Sequence, residues 1–147
     1  MKLEGKYTFK ASQQEVWDLF NNIDHLQKAV PGCEKLEETG PDEYDALLKI
    51  GIAAVKGTYK GKFQVADQEP PKRYRLIGEG SGTPGFVKGE ALIELSQDNQ
   101  NTLVSYQGEI QVGGLIAGVG QRLISGIAKM LLGQFFKNMR KELKSLQ

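Results

Sequence analysis

Apolar and polar residues alternate along most of the chain between residues 44 and 112, a pattern typical of half-buried β-strands. Turn signals rich in Gly, Pro, Asn and Asp separate the alternating stretches, and a similar stretch opens the chain. The predicted strands cover residues 2–10, 34–38, 44–54, 57–67, 73–79, 86–95 and 102–112. Because each strand has one apolar face and the connections are short, we predict an antiparallel sheet covered on one side only.

Two short helices are predicted after the first strand. Ser12 is a favourable N-cap, and Glu15 three residues later completes a capping box. Residues 24–28 have the pattern of a further helical turn, and Pro31-Gly32 then turns the chain.

Residues 116–146 are predicted to form one long C-terminal helix, because their apolar residues recur at helical spacing in two adjacent lines. The first line is Ile116, Val119, Leu123, Ile127, Met130, Leu131 and Phe135, and the second is Leu132, Phe136, Met139 and Leu143. So wide an apolar face requires a broad concave partner, which the strands can provide. Glycines 114, 118 and 120 lower helix propensity at its start, so we expect that part to be loosely held.

These elements predict an α+β fold in which a curved antiparallel sheet wraps around the long C-terminal helix. The chain of 147 residues, 39% hydrophobic and 25% charged, has the size and composition of a single domain spanning residues 1–147. No apolar run reaches the roughly 18 residues that a membrane span requires. The single cysteine, Cys33, and the lack of an apolar signal-peptide core favour the cytoplasm.

Four glycines share the alternation of the inward residues in the predicted strands: Gly61, Gly78, Gly89 and Gly108. Glycine inside a strand costs stability, so these positions indicate strong curvature of the sheet, a space that must stay open, or both. An empty apolar cavity of about 300 Å³ would cost roughly 7 kcal/mol, comparable with the whole stability of a small domain. We therefore expect a cavity that a ligand or waters fill for part of the time.

Groups suited to catalysis are scarce in this sequence. His25 is the only histidine and lies near a predicted helix end, where a surface or capping role is expected. No spacing of His, Cys, Asp and Glu indicates a metal site, and no glycine pattern indicates a bound nucleotide. The glycine-rich residues 78–82 lead into another strand rather than a helix, and are predicted to form a flexible loop. We expect no catalytic residue, no metal ion and no cofactor.

Charge is unevenly distributed although the net charge is only +1. Residues 110–147 carry six basic residues against the single acidic Glu142, and most of these cations lie near the C-terminus. Two interpretations are open: the cations complement the negative end of the helix dipole, or they form a patch for an acidic partner or an anionic membrane surface. No nucleic-acid partner is expected.

The order of elements, the glycine-bearing strands and the closing helix resemble the helix-grip fold of the START and Bet v 1-like superfamily. The stretch Ile23-Asp24…Leu26…Val30-Pro31-Gly32-Cys33-Glu34 resembles the Pro-Gly-Cys motif of the carbon monoxide dehydrogenase G-subunit family, and Lys56-Gly57…Tyr59-Lys60-Gly61 resembles its central strand. The resemblance covers essentially the whole chain. It implies a non-enzymatic accessory protein of a molybdenum hydroxylase complex, which binds a lipophilic, quinone-like ligand and works near the cytoplasmic membrane.

Our first interpretation is therefore a carrier of a lipophilic small molecule, with an elongated apolar pocket between sheet and helix and tyrosine hydroxyls that orient a polar headgroup. The predicted lining is Tyr59, Phe63, Tyr74, Leu76, Val87, Tyr106, Ile110, Leu123, Ile127 and Leu131. One alternative is a polyketide cyclase- or hydrolase-like enzyme, against which stands the lack of a recognisable acid–base pair. The other is a pure protein-interaction component whose pocket is only a packing defect.

Overall fold

One seven-stranded antiparallel sheet and one long helix dominate the computed structural model, which describes all 147 residues. The strands are β1 (Lys2–Phe9), β2 (Cys33–Gly40), β3 (Glu43–Ile50), β4 (Gly57–Glu69), β5 (Arg73–Gly82), β6 (Gly85–Asp98) and β7 (Asn101–Gly113). The helices are α1 (Gln13–Phe20), α2 (Ile23–Ala29) and α3 (Gln121–Ser145), with short 3-10 helices at Ala53–Val55 and Leu115–Val119. The strand order is β1-β7-β6-β5-β4-β3-β2, so the predicted α+β helix-grip fold is confirmed.

Side-chain caps fix the two short helices after β1. The backbone amide of Glu15 donates to Ser12 Oγ over 3.2 Å, and Ser12 N donates to Glu15 Oε1 over 3.4 Å. The predicted capping box is therefore confirmed. Asn22 caps α2 in the same way, because its side-chain oxygen accepts from the amides of Asp24 and His25.

Gly32, in the Pro-Gly-Cys segment, makes the turn from α2 into β2. Its φ of +74° lies in the left-handed region that favours glycine, and a Cβ there would lie only 2.4 Å from the carbonyl oxygen of Lys49. The amide of Lys49 in turn donates to Gly32 O over 2.8 Å. A side chain at position 32 would therefore force the start of β2 away from Lys49 of β3.

Three sequence predictions about element bounds are wrong. The long helix begins at Gln121 rather than at residue 116, because Leu115–Val119 form a 3-10 helix and Gly120, with φ +104°, breaks the backbone between the two. Strand β3 ends at Ile50 because Ala53–Val55 coil into a 3-10 helix. Residues 78–82 belong to β5 rather than to a loop, because hydrogen bonds to both β4 and β6 hold them.

The buried side chains form two separate clusters. The larger one joins the C-terminal half of α3 to α1, β1, β6 and β7, and the smaller one joins Val55, Ile116 and Ile124. The buried residues of α3 are Ile124, Phe136, Met139 and Leu143, so the stripe that faces the sheet follows the second predicted apolar line. Leu123 and Met130, from the first line, are 50% and 54% exposed. The break at Gly120 shifts the helix out of phase with Ile116 and Val119.

Aromatic stacking and one arginine attach the C-terminal half of α3 to the sheet. The Phe136 ring stacks on Tyr7 and Tyr106, with centroid distances of 4.2 and 5.5 Å. Arg140 Nε donates to Thr8 O over 3.1 Å, and its guanidinium lies over the Tyr7 ring at 5.6 Å. None of the helices combines the length and the apolar character needed to cross a bilayer.

Candidate functional site

The backbone of α3 makes no extensive close contact with the central strands of the sheet. The extensive backbone contacts of α3 are with α2, α1, β1 and the 3-10 helix Leu115–Val119, and it makes none of comparable extent with β3, β4, β5 or β6. The inner face of these strands is therefore not closed by the helix backbone. We refer to the space between them as the gap.

Inward-facing residues at the gap belong to neither buried cluster. The strand register places Tyr44, Ala46 and Leu48 of β3 beside Phe63, Gly61 and Tyr59 of β4, respectively, on the same face. Phe63, Leu76 and Leu131 are only half-buried, although they lie on the inner faces of β4, β5 and α3. From their strand register and partial burial, we assign to the border of the gap Tyr44, Ala46, Leu48, Gly61, Phe63, Leu76, Gly78, Gly80 and Leu131.

The inward glycines divide into two kinds. A Cβ on Gly61, Gly78 or Gly80 would meet its nearest neighbour at 3.5, 3.4 and 3.8 Å respectively, which is ordinary van der Waals contact. A Cβ on Gly89 would lie 2.3 Å from Glu109 O, and one on Gly108 would lie 2.5 Å from Glu90 O. The first three glycines therefore leave room beside the sheet.

Gly89 and Gly108 instead allow the close approach of the β6 and β7 backbones. The sequence did not distinguish Gly61 and Gly78 from Gly89 and Gly108, whereas the structure gives the two pairs different surroundings. Gly80 was missed because the predicted strand ended at residue 79. Its pairing with Gly61 places it on the inner face.

Tyr74 presents a hydroxyl to the interior without a protein partner. Tyr74 is only 7% exposed, and no protein group forms a hydrogen bond with its hydroxyl. Every fully enclosed polar side-chain atom in the structure does have a partner, so this hydroxyl oxygen retains some accessible surface. Burial raises the pKa of Tyr74 above its ordinary value, which keeps it a hydrogen-bond donor at neutral pH.

The other two predicted tyrosines have structural partners. The Tyr59 hydroxyl donates to Val55 O over 2.6 Å and holds the 3-10 helix Ala53–Val55 against β4. The Tyr106 ring stacks on Phe136 and lies across Gly5, where a Cβ would come within 2.7 Å of it. The proton of the Tyr59 hydroxyl is thus engaged by a protein carbonyl.

The predicted lining residues are distributed over both clusters and the gap. Phe63, Leu76 and Leu131 border the gap, and Leu123 is half-exposed near the start of α3. Tyr74, Tyr106 and Ile110 belong to or pack on the larger cluster, whereas Val87 and Ile127 pack on the smaller one. The β3 residues Tyr44, Ala46 and Leu48 were not predicted to line a site, although their alternation was visible in the sequence.

The structure also contains two polar hollows. One, of about 760 Å³, crosses β2 to β6 and is lined by charges of both signs, among them Lys60, Lys62 and Glu79, and it also reaches Ala46, Gly61 and Gly80. The other, of about 800 Å³, lies beside the Pro-Gly-Cys segment and includes Asp24, Lys28 and Asn138.

The reactive side chains are tied to neighbouring groups. His25 Nδ1 lies 2.8 Å from Glu142 Oε1, in a pair that joins α2 to the C-terminal end of α3. This contact replaces the capping or surface role expected for His25. The Cys33 thiol donates to Lys35 O, and burial raises its pKa, so it is protonated at neutral pH. No group of three or more His, Cys, Asp or Glu side chains is placed to hold a metal ion.

Comparison with solved structures identifies close and distant relatives of this fold. A conserved protein from Geobacillus kaustophilus is 40% identical, with a TM-score of 0.96, over 99% of this chain and 96% of that one. A START superfamily protein from Mycobacterium smegmatis is 11% identical, with a TM-score of 0.79, over 99% of both chains. A Thermus thermophilus protein is also 11% identical, with a TM-score of 0.75, over 100% of this chain and 99% of that one. A search of the curated proteins gives no significant match.

The family is shown by a match to the carbon monoxide dehydrogenase G-subunit (CoxG) family over residues 5–144. This match covers nearly the whole chain and includes both segments on which the sequence resemblance rests. The chain belongs to the CoxG family.

Proposed function

We propose that this CoxG-family protein is a non-enzymatic carrier of a lipophilic, quinone-like molecule, which binds in the gap between the central strands and the N-terminal half of α3. The observation that carries the proposal is the inner-face trio Gly61, Gly78 and Gly80. These glycines lie in paired strands, none is required by a close backbone approach, and together they leave room where side chains would otherwise fill the sheet–helix interface.

The surroundings of the gap suit a flat ring with a polar edge. The Tyr44 and Phe63 rings stack with centroids 4.8 Å apart and planes within 13°, so they form a flat aromatic surface. Leu76 and Leu131 supply aliphatic contacts. The Tyr74 hydroxyl is a buried donor without a protein partner, and a quinone carbonyl would accept its hydrogen bond.

The same residues support binding without chemical conversion. The side chains at the gap are aromatic, aliphatic or absent, and none is an acid or base at neutral pH. His25 is held by Glu142 at the far end of α3, and the Cys33 thiol is protonated. The family name associates CoxG proteins with carbon monoxide dehydrogenase, so we propose that the carrier serves a molybdenum hydroxylase of that type on the cytoplasmic side of the membrane.

Native mass spectrometry with added decylubiquinone tests this proposal. We expect one bound quinone per chain and recovery of the quinone unchanged after long incubation. Absence of uptake, both in gently purified protein and after addition of decylubiquinone, would support the pure protein-interaction component. Conversion of the compound would instead support the enzyme.

A further inference from the structure

The first strand presents an open edge of the sheet. Strand β1 pairs only with β7, over its full length and without a register shift. Met1 and Ile110 exchange two backbone hydrogen bonds, of 2.9 and 3.1 Å. Because residues bonded to the neighbouring strand alternate with residues that face away from it, the amides and carbonyls of Lys2, Glu4 and Lys6 point out of the sheet.

The rest of the chain leaves this edge uncovered between Lys2 and Lys6. Helix α3 reaches only the far end of β1, where Arg140 Nε donates to Thr8 O over 3.1 Å. Lys2, Glu4 and Lys6 are all exposed. A straight row of unpaired amides and carbonyls is a template on which a further strand can add.

The edge at the other end of the sheet is different. Register shifts interrupt the pairing of β2 with β3 at both ends, and Gln27 of α2 donates to Glu34 O over 3.4 Å. The charged residues of β2 are mainly acidic, with Glu34, Glu37 and Glu38 against Lys35. Bulges and charges of one sign discourage strand addition, so β1 is the edge that is suited to it.

The side chains along the β1 edge alternate in charge, with Glu4 between Lys2 and Lys6 on the outer face of the sheet. Two copies of this strand can pair antiparallel about a two-fold axis. With the axis at Gly5, Glu4 of each copy lies opposite Lys6 of the other, whereas an axis at Glu4 would place like charges opposite each other. Lysine on an edge usually discourages strand addition, but in the first register a carboxylate faces it.

The inner face of β1 also fits this register. Gly5 lies at the axis, where it faces Gly5 of the second copy in the closely spaced, non-hydrogen-bonded kind of pair, so no side chains meet there. On either side of the axis, Leu3 of one copy faces Tyr7 of the other.

We propose that two copies of this protein pair through β1, so that their sheets join into one across a two-fold axis at Gly5. The contact consists of about four backbone hydrogen bonds between residues 4 and 6 of the two copies, together with the two Glu4–Lys6 charge pairs. This pairing does not depend on the ligand proposal, because the outer edge of β1 lies outside the gap.

Sedimentation equilibrium tests the pairing over a concentration series that reaches about 1 mM, which covers weak association. We expect wild-type protein to be in equilibrium between monomer and dimer. Lys6→Glu and Glu4→Lys each place like charges opposite each other twice, so each should weaken the dimer about ten-fold or more. The double variant, and an equal mixture of the two single variants, restore opposite charges and should dimerise like wild type.

Lys60→Glu is the matched control, because it makes the same change of charge on β4, which is paired on both sides. It lies four strand spacings, about 19 Å, from β1, beyond the screening length of about 10 Å at 0.1 M salt, so we expect dimerisation within about two-fold of wild type. Lys6→Pro removes an outward amide and no bond of the sheet, so it should abolish the dimer.

Thermal melting reports whether each variant is folded, and the charge variants test the proposal even if Lys6→Pro unfolds. A wild-type monomer at about 1 mM would overturn the pairing. A dimer that Lys6→Glu leaves intact, or single variants that stay monomeric when mixed, would overturn it as well.

Discussion

The Trp17 indole lies edge-on to the Tyr74 ring, with centroids 5.4 Å apart and planes at 86°. Trp17 is the only tryptophan in the chain, and both side chains are almost completely buried. The residue that we propose as the hydrogen-bond donor to the ligand therefore has an intrinsic fluorescent reporter beside it.

Decylubiquinone should quench the fluorescence of Trp17 with a saturable dependence on concentration, because quinones quench indole emission at short range. Tyr74→Phe should retain the fold and weaken the quinone affinity about five-fold, the scale of one hydrogen bond. Fluorescence titration of both proteins measures this. Equal affinities would remove Tyr74 from the proposed site.

Tyr59→Phe should lower the stability of the protein, whereas Tyr74→Phe should lower its quinone affinity. It removes the hydrogen bond to Val55 O and leaves that buried carbonyl unpaired, so we expect a loss of about 1–3 kcal/mol in the free energy of unfolding. Urea denaturation measures the loss, with Tyr74→Phe as the comparison at neutral pH. A Tyr59→Phe protein as stable as wild type would show that the hydroxyl does not hold the 3-10 helix.

The two kinds of inward glycine should respond differently to substitution. Gly89→Ala and Gly108→Ala should destabilise the protein by about 1–3 kcal/mol or more, because the new Cβ meets backbone oxygen. Gly80→Ala should change stability by less than about 1 kcal/mol, because its Cβ meets nothing closer than 3.8 Å. Thermal unfolding distinguishes the two groups.

A larger side chain at Gly80 should abolish quinone uptake while the protein stays folded. Gly80→Leu places its whole side chain in the gap, whereas Ser81→Leu, on the adjacent residue of β5, places the same side chain on the outer face and serves as the control. Native mass spectrometry with decylubiquinone measures uptake in both. If Gly80→Leu binds as well as Ser81→Leu, the glycines do not keep a binding space open.

His25→Ala and Cys33→Ser should leave quinone affinity within about two-fold of wild type, since neither side chain borders the gap. His25→Ala should lower stability modestly by releasing the α2–α3 contact through Glu142. A conversion activity that is lost with His25→Ala would instead favour the enzyme.

The stability of the protein should fall in alkaline solution because of Tyr74. Burial raises its pKa in the folded state above the ordinary value of about 10, so above pH 10 the unfolded chain releases a proton that the folded protein retains. The free energy of unfolding then decreases as pH rises, by up to about 1.4 kcal/mol per pH unit. Urea midpoints between about pH 9 and pH 11 should fall less steeply for Tyr74→Phe; parallel curves would contradict the assignment.

Local sequence signals determined most of the elements of this protein. The alternation of apolar residues located the strands, and the Ser12–Glu15 pair located the start of α1, because both depend on the backbone and near neighbours alone. The inner face of each strand was fixed in the same way, since side chains alternate strictly from one face of a strand to the other.

Contacts between distant segments decided the rest. Gly89 and Gly61 look alike in the sequence. Only the distance to the neighbouring strand shows that a Cβ would collide at Gly89 and fit at Gly61. Helix α3 begins at Gln121 because Gly120 breaks the backbone before it. Ile124 rather than Leu123 is buried because Ile124 packs with Val55 and Ile116. The sequence alone determined which residues can face the interior, and only the tertiary structure decided which of them meet another side chain and which border the gap, because packing depends on residues far apart in the chain.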